Sequence, residues 1–248
     1  MKLEQFFREN PNIALAFSGG VDSAYLLWAA MQHGANVRAY YVKTSFQPQF
    51  ELDDATRLAE ELGAEMKIIP VDVLCREAIT ENPPDRCYHC KKVIFEAIAS
   101  AAAADGFDLL IDGTNASDEA SDRPGMRALR ELAVRSPLRE CGLTKAEIRR
   151  RSKAAGLFTH DKPAYACLAT RIPTGEPITA EKLQKTETAE SWLSALGLRD
   201  FRVRMQSGGA KLQVTAADLE LVVREREKIV KELKQYYDHV VLDLEVRA

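Results

Sequence analysis

Two familiar nucleotide-binding signatures are missing from this chain. It contains neither G-x-x-x-x-G-K-[ST] nor G-x-G-x-x-G, so the two commonest phosphate loops are excluded. No stretch approaches the roughly 18 apolar residues of a membrane span. Charge is nearly balanced, at −3 over 248 residues, which gives no global drive toward nucleic acid. Aromatics are sparse, at 7%. The basic run Arg149-Arg150-Arg151 has none interleaved, so it reads as a solvated helix face rather than an RNA surface. The start, MKLEQFFREN, has no apolar h-region, so no secretory leader and a cytoplasmic location are expected. In that setting five cysteines point to metal or catalytic thiols more than to disulfides. No internal repeat is evident, and Ala101–Ala104 is the one biased tract.

What is present is concentrated in residues 13–23, IALAFSGGVDS. A short apolar run meets Ser18-Gly19-Gly20-Val21-Asp22-Ser23 and then a helical segment, Ala24 to Met31. Strand, glycine turn and helix aim backbone N–H groups and the positive end of a helix at one point, which suits an anion. Glycine lets the backbone approach that anion closely. The spelling SGGVDS resembles the PP-loop of the ATP pyrophosphatase superfamily, which implies cleavage of ATP to AMP and pyrophosphate.

Apolar runs alternate with helical patterns through the first 160 or so residues. Val37–Val42, Met66–Val71 and Phe107–Ile111 read as further strands. Leu52–Leu62, ending at Gly63, and Val93–Ala104 read as helices. Thr144 and Glu147 form a capping-box signature for another helix. This alternation predicts an α/β fold, a parallel sheet with helices on both faces. Ligands of such sheets sit at the carboxyl ends of the strands. Ser18, Lys43-Thr44 and Gly113-Thr114-Asn115 follow strands directly, so one rim should carry the nucleotide. Asn115 to Pro124, with Asp118, Glu119, Asp122 and Arg123, reads as a polar loop over it. Prolines at 163, 173 and 177 mark a junction to a small C-terminal α+β domain. There, Thr179–Leu196 and Ala217–Tyr236 read as helices, Phe201–Met205 and Lys211–Val214 as a hairpin about Gly208-Gly209, and Val240–Val246 as a last strand.

Cys87-Tyr88-His89-Cys90 is a C-x-x-C just before the helix read from Val93, and Cys167 lies far away in Ala164–Arg171. The pair alone is compatible with redox, zinc or iron–sulfur chemistry. Zinc needs a fourth ligand, which His89 or His160 could supply. A cluster on three thiolates leaves one iron open for a substrate atom. Cys75 and Cys141 stand alone and read as small buried hydrophobes.

The combined set SGGVDS, RCYHCKK, DGTNASD, DRPGMRAL, RSPL, GLTKAEIR, KPAYACLATRIPTG and RVR resembles the LarE family, in the family's order and over nearly the whole chain. These are ATP-dependent sulfur transferases that act on pyridinium-3,5-biscarboxylic acid mononucleotide and build the nickel-pincer nucleotide cofactor. The resemblance implies a PP-loop domain over residues 1–163 and a smaller substrate and sulfur-transfer domain over 164–248. It implies that ATP with Mg²⁺ adenylates a substrate carboxylate and that sulfur then displaces AMP. Cys87, Cys90 and Cys167 match the family type that carries a [4Fe–4S] cluster fed by sulfide or another sulfur donor. In the other type the cysteine at the position of Cys167 gives up its own sulfur. By position, Ser18, Gly19, Gly20, Asp22, Ser23, Thr44, Lys91, Gly113, Thr114 and Asn115 are expected to bind ATP. Arg202 and Arg204, helped by Thr170 and Arg171, are expected on the substrate phosphate, and Asp118 and Glu190 at Mg²⁺. The resemblance further implies a homo-oligomer, up to a hexamer, with no nucleic-acid or membrane partner. Thiolation of tRNA and amide-forming synthesis are the competing superfamily activities.

Overall fold

Segments alternate much as the apolar periodicity predicts. Helix α1 (Leu3–Glu9) precedes β1 (Asn12–Ala16), α2 (Val21–Gln32), β2 (Asn36–Lys43), α3 (Gln49–Leu62) and β3 (Met66–Pro70). A one-turn helix α4 (Glu77–Thr80) leads to α5 (Arg86–Ala104), β4 (Leu110–Ile111), α6 (Pro124–Glu131), α7 (Pro137–Glu140) and α8 (Lys145–Ala154). Then come α9 (Ala180–Ala195), β5 (Phe201–Gln206), β6 (Gly209–Val214), α10 (Leu219–Arg224), α11 (Arg226–Leu233) and β7 (Val240–Leu242). This computed structural model describes residues 2–118 and 124–247. The chain forms two compact units, Met1–Val73 with Asp85–Lys162, and Leu74–Pro84 with Pro163–Ala248.

The first unit holds a four-stranded sheet in the order β3-β2-β1-β4, and every pairing is parallel. Successive residues of β1 point to opposite faces. Ile13 and Leu15 enter a core with Phe6, Leu26, Leu27, Tyr41 and Leu58. Ala14 enters a second core with Tyr40, Val42, Ile98 and Phe107. Both faces of the central strand β1 are therefore buried, which is why it reads as a continuous apolar run. Helix α3 stops where expected, at Gly63 with φ +64°. Because the strands are parallel, the segments after β1, β2 and β4 share one rim.

Helix α5 departs from the sequence reading. It starts at Arg86, with Asp85 as N-cap after Pro83-Pro84, so Cys87 and Cys90 lie inside the helix rather than ahead of it. The segment Arg86–Lys92 holds neither glycine nor proline, so nothing stops the helix from running back to the prolines.

The second unit holds a three-stranded sheet in the order β5-β6-β7. The β5–β6 hairpin is antiparallel and turns at Ser207 and Gly208, both with positive φ, as a twist-matched two-residue turn requires. The helix read over Ala217–Tyr236 is broken at Glu225, where φ −94° and ψ 11° end α10 and α11 begins. The last strand is shorter than Val240–Val246, with Leu244 84% exposed. Leu74–Pro84 joins this unit through Ile178 N to Thr80 O (2.7 Å) and Gly175 N to Asn82 O (2.9 Å). No described helix is long and apolar enough to cross a membrane.

Candidate active site

The first unit gathers its polar residues at the start of α2. Gly20 is the N-cap, and no side chain caps the helix, so its first N–H groups remain for a ligand. Gly19 adopts φ +69°, and a Cβ there would stand 2.9 Å from the Cβ of Ala55. Only glycine fits that bend. The hydroxyls of Ser18 and Ser23 lie 3.2 Å apart, and Ser23 Oγ donates to Gly20 O at 3.2 Å. These bonds hold the loop closed.

The segment after β4 lies against the same helix end. A Cβ on Gly113 would stand 2.9 Å from Ser23 N. Buried Asp112 accepts bonds from Thr114 N, Thr114 Oγ1 and Ser136 Oγ. Asn115 N donates to Asp118 Oδ2 at 2.9 Å, and Asn115 Oδ1 accepts from Ser117 N at 2.8 Å. The structure thus brings Ser18, Gly19, Gly20, Asp22, Ser23 and Gly113-Thr114-Asn115 to one rim. Thr44 is used otherwise: its N–H and hydroxyl both go to Gln47 Oε1 (3.0 and 2.7 Å), shaping the turn after β2. Lys91 lies along Gly125 at the start of α6, where a Cβ would come within 3.0 Å of Lys91 Cδ. Glu119, Asp122 and Arg123 fall outside the described residues.

Asp22 is the electrostatic centre of this rim. Its Oδ2 accepts from Lys145 Nζ at 2.6 Å, whereas Oδ1 is buried without a hydrogen-bond partner. Burial pushes its carboxyl above the ordinary range, the charge of Asp118 pushes the same way, and Lys145 and Arg149 pull against them. An orphaned carboxylate oxygen with a second carboxylate near it fits a divalent cation. Lys145 was not singled out from the sequence, although a signal existed. It is the first residue of α8, and a cation there opposes the helix dipole. The capping box itself forms, with Glu147 N donating to Thr144 Oγ1 at 3.3 Å. Arg149 is no solvated side chain, since it donates to His160 O (2.7 Å) and Lys162 O (2.8 Å).

Cys87 is exposed and Cys90 buried, three residues apart on α5, so both lie on adjacent turns of one helix. Among the described residues, no group of three or more His, Cys, Asp or Glu side chains is placed to hold a metal ion.

The second unit carries the other predicted residues. Cys167, half-buried, precedes a short 3-10 helix over Leu168–Arg171. Arg202 and Arg204 alternate along β5 and both reach the Ala164–Arg171 segment. Arg202 Nη2 donates to Ala164 O, and Arg204 Nη1 to Thr170 O at 3.0 Å. Burial lowers the pKa of both guanidinium groups, and repulsion from Arg171 and Arg247 lowers it further. An anion there would relieve that repulsion. Arg171 itself is wholly buried, its fork closed on Glu190 (Nε–Oε1 2.8 Å, Nη2–Oε2 3.0 Å). Both oxygens of Glu190, expected at a metal, thus have protein partners, which include Tyr165 OH (2.6 Å) and Val203 N (2.8 Å).

A family model described as Queuosine biosynthesis protein QueC matches residues 12–83, which span the PP-loop and the first three strands. The chain is 35% identical to an uncharacterized protein of Synechocystis sp., over 98% of this chain and 92% of that protein. It is 28% identical to the tRNA-specific 2-thiouridylase MnmA of Thermotoga sp., over 60% of this chain and 54% of that protein. It is 31% identical to the pyridinium-3,5-bisthiocarboxylic acid mononucleotide synthase of Lactiplantibacillus plantarum, over 94% of this chain and 85% of that protein. With that match nearly end to end, the chain belongs to the LarE family of ATP-dependent sulfurtransferases.

Proposed function

We propose that this protein adenylates a carboxylate of pyridinium-3,5-biscarboxylic acid mononucleotide and converts it to a thiocarboxylate, as a step in building the nickel-pincer nucleotide cofactor. The observation that carries the reading is the uncapped start of α2 beside the orphaned Oδ1 of Asp22. That pairing of free amides with an unsatisfied carboxylate suits a polyphosphate and its cation together. Ser18, Gly19, Gly20 and Ser23 hold the pyrophosphate part of ATP, and Asp22 and Asp118 hold Mg²⁺. Thr44 shapes the neighbouring turn, Gly113-Thr114-Asn115 complete the rim, and Lys91 and Lys145 supply cations for phosphate charge. Adenylation is needed because a carboxylate oxygen is a poor leaving group and AMP a good one. Mg²⁺ held by Asp22 and Asp118 would supply positive charge to offset that of the phosphates.

Arg202 and Arg204 bind the substrate phosphate through their planar forks. Cys87, Cys90 and Cys167 are soft thiolate donors with no carboxylate among them, a set that suits an iron–sulfur cluster. When bound, such a cluster supplies an open iron able to hold a sulfide. The protein's own part is to hold the activated carboxylate for sulfur to displace AMP. The chain acts as a homo-oligomer.

The test is anaerobic purification with iron and sulfide analysis, followed by a pyrophosphate-release assay with ATP and the pyridinium mononucleotide. Iron and sulfide near four per chain and substrate-dependent pyrophosphate are expected, roughly as a [4Fe–4S] centre requires. An iron-free protein after anaerobic reconstitution overturns the cluster. No pyrophosphate overturns the adenylation.

A further inference from the structure

The stretch Ala164–Arg171 has little regular structure of its own, one short 3-10 helix over Leu168–Arg171. Its conformation is set by arginines. Arg171 Nη1 donates to Ala166 O (2.7 Å), to Thr170 Oγ1 (2.8 Å) and, more weakly, to Cys167 O (3.4 Å). The Cys167 carbonyl also accepts from Thr170 N (3.0 Å) and Thr170 Oγ1 (2.8 Å). With its carbonyl tied inward, the Cys167 backbone is restrained at φ −55° and ψ 150°. The fork that does this is itself immobile. Arg171 is 1% exposed and Glu190 5%, and each carboxylate oxygen of Glu190 accepts two bonds. Those bonds tie the segment to α9 through Glu190, to β5 through Val203 N, and to the ring of Tyr165, which lies under the Arg171 guanidinium at 4.5 Å.

A buried ion pair is a weak device for stability alone, because desolvation offsets most of its attraction. Fully satisfied, however, it specifies one geometry. We propose that Arg171 and Glu190 are positioning residues for Cys167: they touch neither ATP nor substrate, and they fix the cysteine in the one placement that sulfur transfer uses. The assignment rests on the sulfur-transfer reading above, and it removes Glu190 from the metal and Arg171 from the phosphate.

Three variants test it. Glu190→Gln keeps the shape and loses the charge, Arg171→Lys keeps the charge and loses the fork, and Tyr165→Phe removes one hydroxyl as the mildest change. Two measurements are made on each. The first is alkylation of the apoprotein by iodoacetamide, resolved by peptide mass spectrometry, with Cys87 as internal reference. Cys167 in Glu190→Gln and Arg171→Lys should react at a rate several-fold different from the parent, while the Cys87 rate holds. The second is thiocarboxylate formed per pyrophosphate released. That ratio should fall by about tenfold to a hundredfold, the usual cost of a slightly misplaced reacting group, with pyrophosphate release itself within about twofold of the parent. Unchanged Cys167 reactivity in all three variants overturns the proposal. So does an equal loss of pyrophosphate release and sulfur transfer, which would mean general damage. A parent protein that releases no pyrophosphate defeats the functional reading instead, and the alkylation result then decides the clamp by itself. If Glu190→Gln fails to fold, Tyr165→Phe carries the same comparison, with a smaller shift in the same direction expected.

Discussion

Asp22→Asn should make the ligand-free protein more stable while abolishing its chemistry. The Asp22 carboxylate is mostly buried, one oxygen on Lys145 and the other without a partner. An unsatisfied buried acceptor costs about 1–3 kcal/mol. The Lys145 pair offsets part of that, but the Lys145 side chain is 34% exposed, and partly exposed pairs are worth about 0–1 kcal/mol. Asparagine keeps the shape and removes the charge, so a net gain of about 1 kcal/mol follows, or a rise of about 2–4 °C in Tm for a chain this size. The pH dependence has a definite sign. Burial raises the folded-state pKa of Asp22, so ionisation costs stability. That cost is full above the folded pKa, shrinks as pH falls through it, and is gone below the unfolded value. The melting gap between variant and parent should therefore be widest at neutral pH and close as the solution is acidified. Thermal melts across pH, with and without Mg–ATP, check this. Mg–ATP should stabilise the parent and not the variant, and only the parent should release pyrophosphate. A variant that melts below the parent at neutral pH, or a gap that ignores pH, refutes the account of Asp22 as an unsatisfied ligand.

Lys145→Met should cut pyrophosphate release by about a hundredfold or more, as loss of one preorganised donor to developing charge does, with Lys145→Arg partly active in the same assay. Gly113→Ala places a Cβ 2.9 Å from a helix backbone nitrogen, which cannot give way as a side chain can. Calorimetry should show a loss of about 1–3 kcal/mol, as for other overpacked contacts. Cys87→Ala, Cys90→Ala and Cys167→Ala should each lose iron on anaerobic reconstitution, and Cys75→Ala should keep it; iron held by Cys167→Ala would reject the three-thiol set. Thr144→Ala removes the side-chain cap of α8 and should cost about 1 kcal/mol in chemical denaturation.

The parallel sheet was legible because its central strand is buried on both faces. Ile13 to Ala16 of β1 can then be written as one apolar run, and Gly63 marks the end of α3. What escaped were boundaries set by tertiary contacts. The start of α5 at Arg86 is marked only by the prolines before it and by the lack of a breaker after them, and no side-chain cap bond marks it. The pairing of Leu74–Pro84 with residues 172–178 depends on Asn82 donating to Pro173 O, a bond between segments ninety-one positions apart. No sequence window contains it.

The site divides along the same line. Ser18 to Ser23 and Gly113-Thr114-Asn115 could be placed because each follows a strand directly, and strand order alone then puts them on one rim. That Glu190 and Arg171 pair with each other could not be read, because the same residue types serve a metal, a phosphate or each other. A carboxylate in a helix and an arginine nineteen positions earlier say nothing of burial or of the fork that joins them. At 1% exposure Arg171 has no solvent to satisfy its donors, so it must spend them on protein acceptors, and a carboxylate is the acceptor that matches its fork. Arg204, on β5, is less enclosed than Arg171 and spends only Nε and Nη1 on Gln213 and Thr170, which leaves Nη2 for a ligand. Lys145 lies between these cases. Its position at the start of a helix is locally unfavourable, and a residue kept against its local preference is best explained by what it meets in the fold, here Asp22 at 2.6 Å.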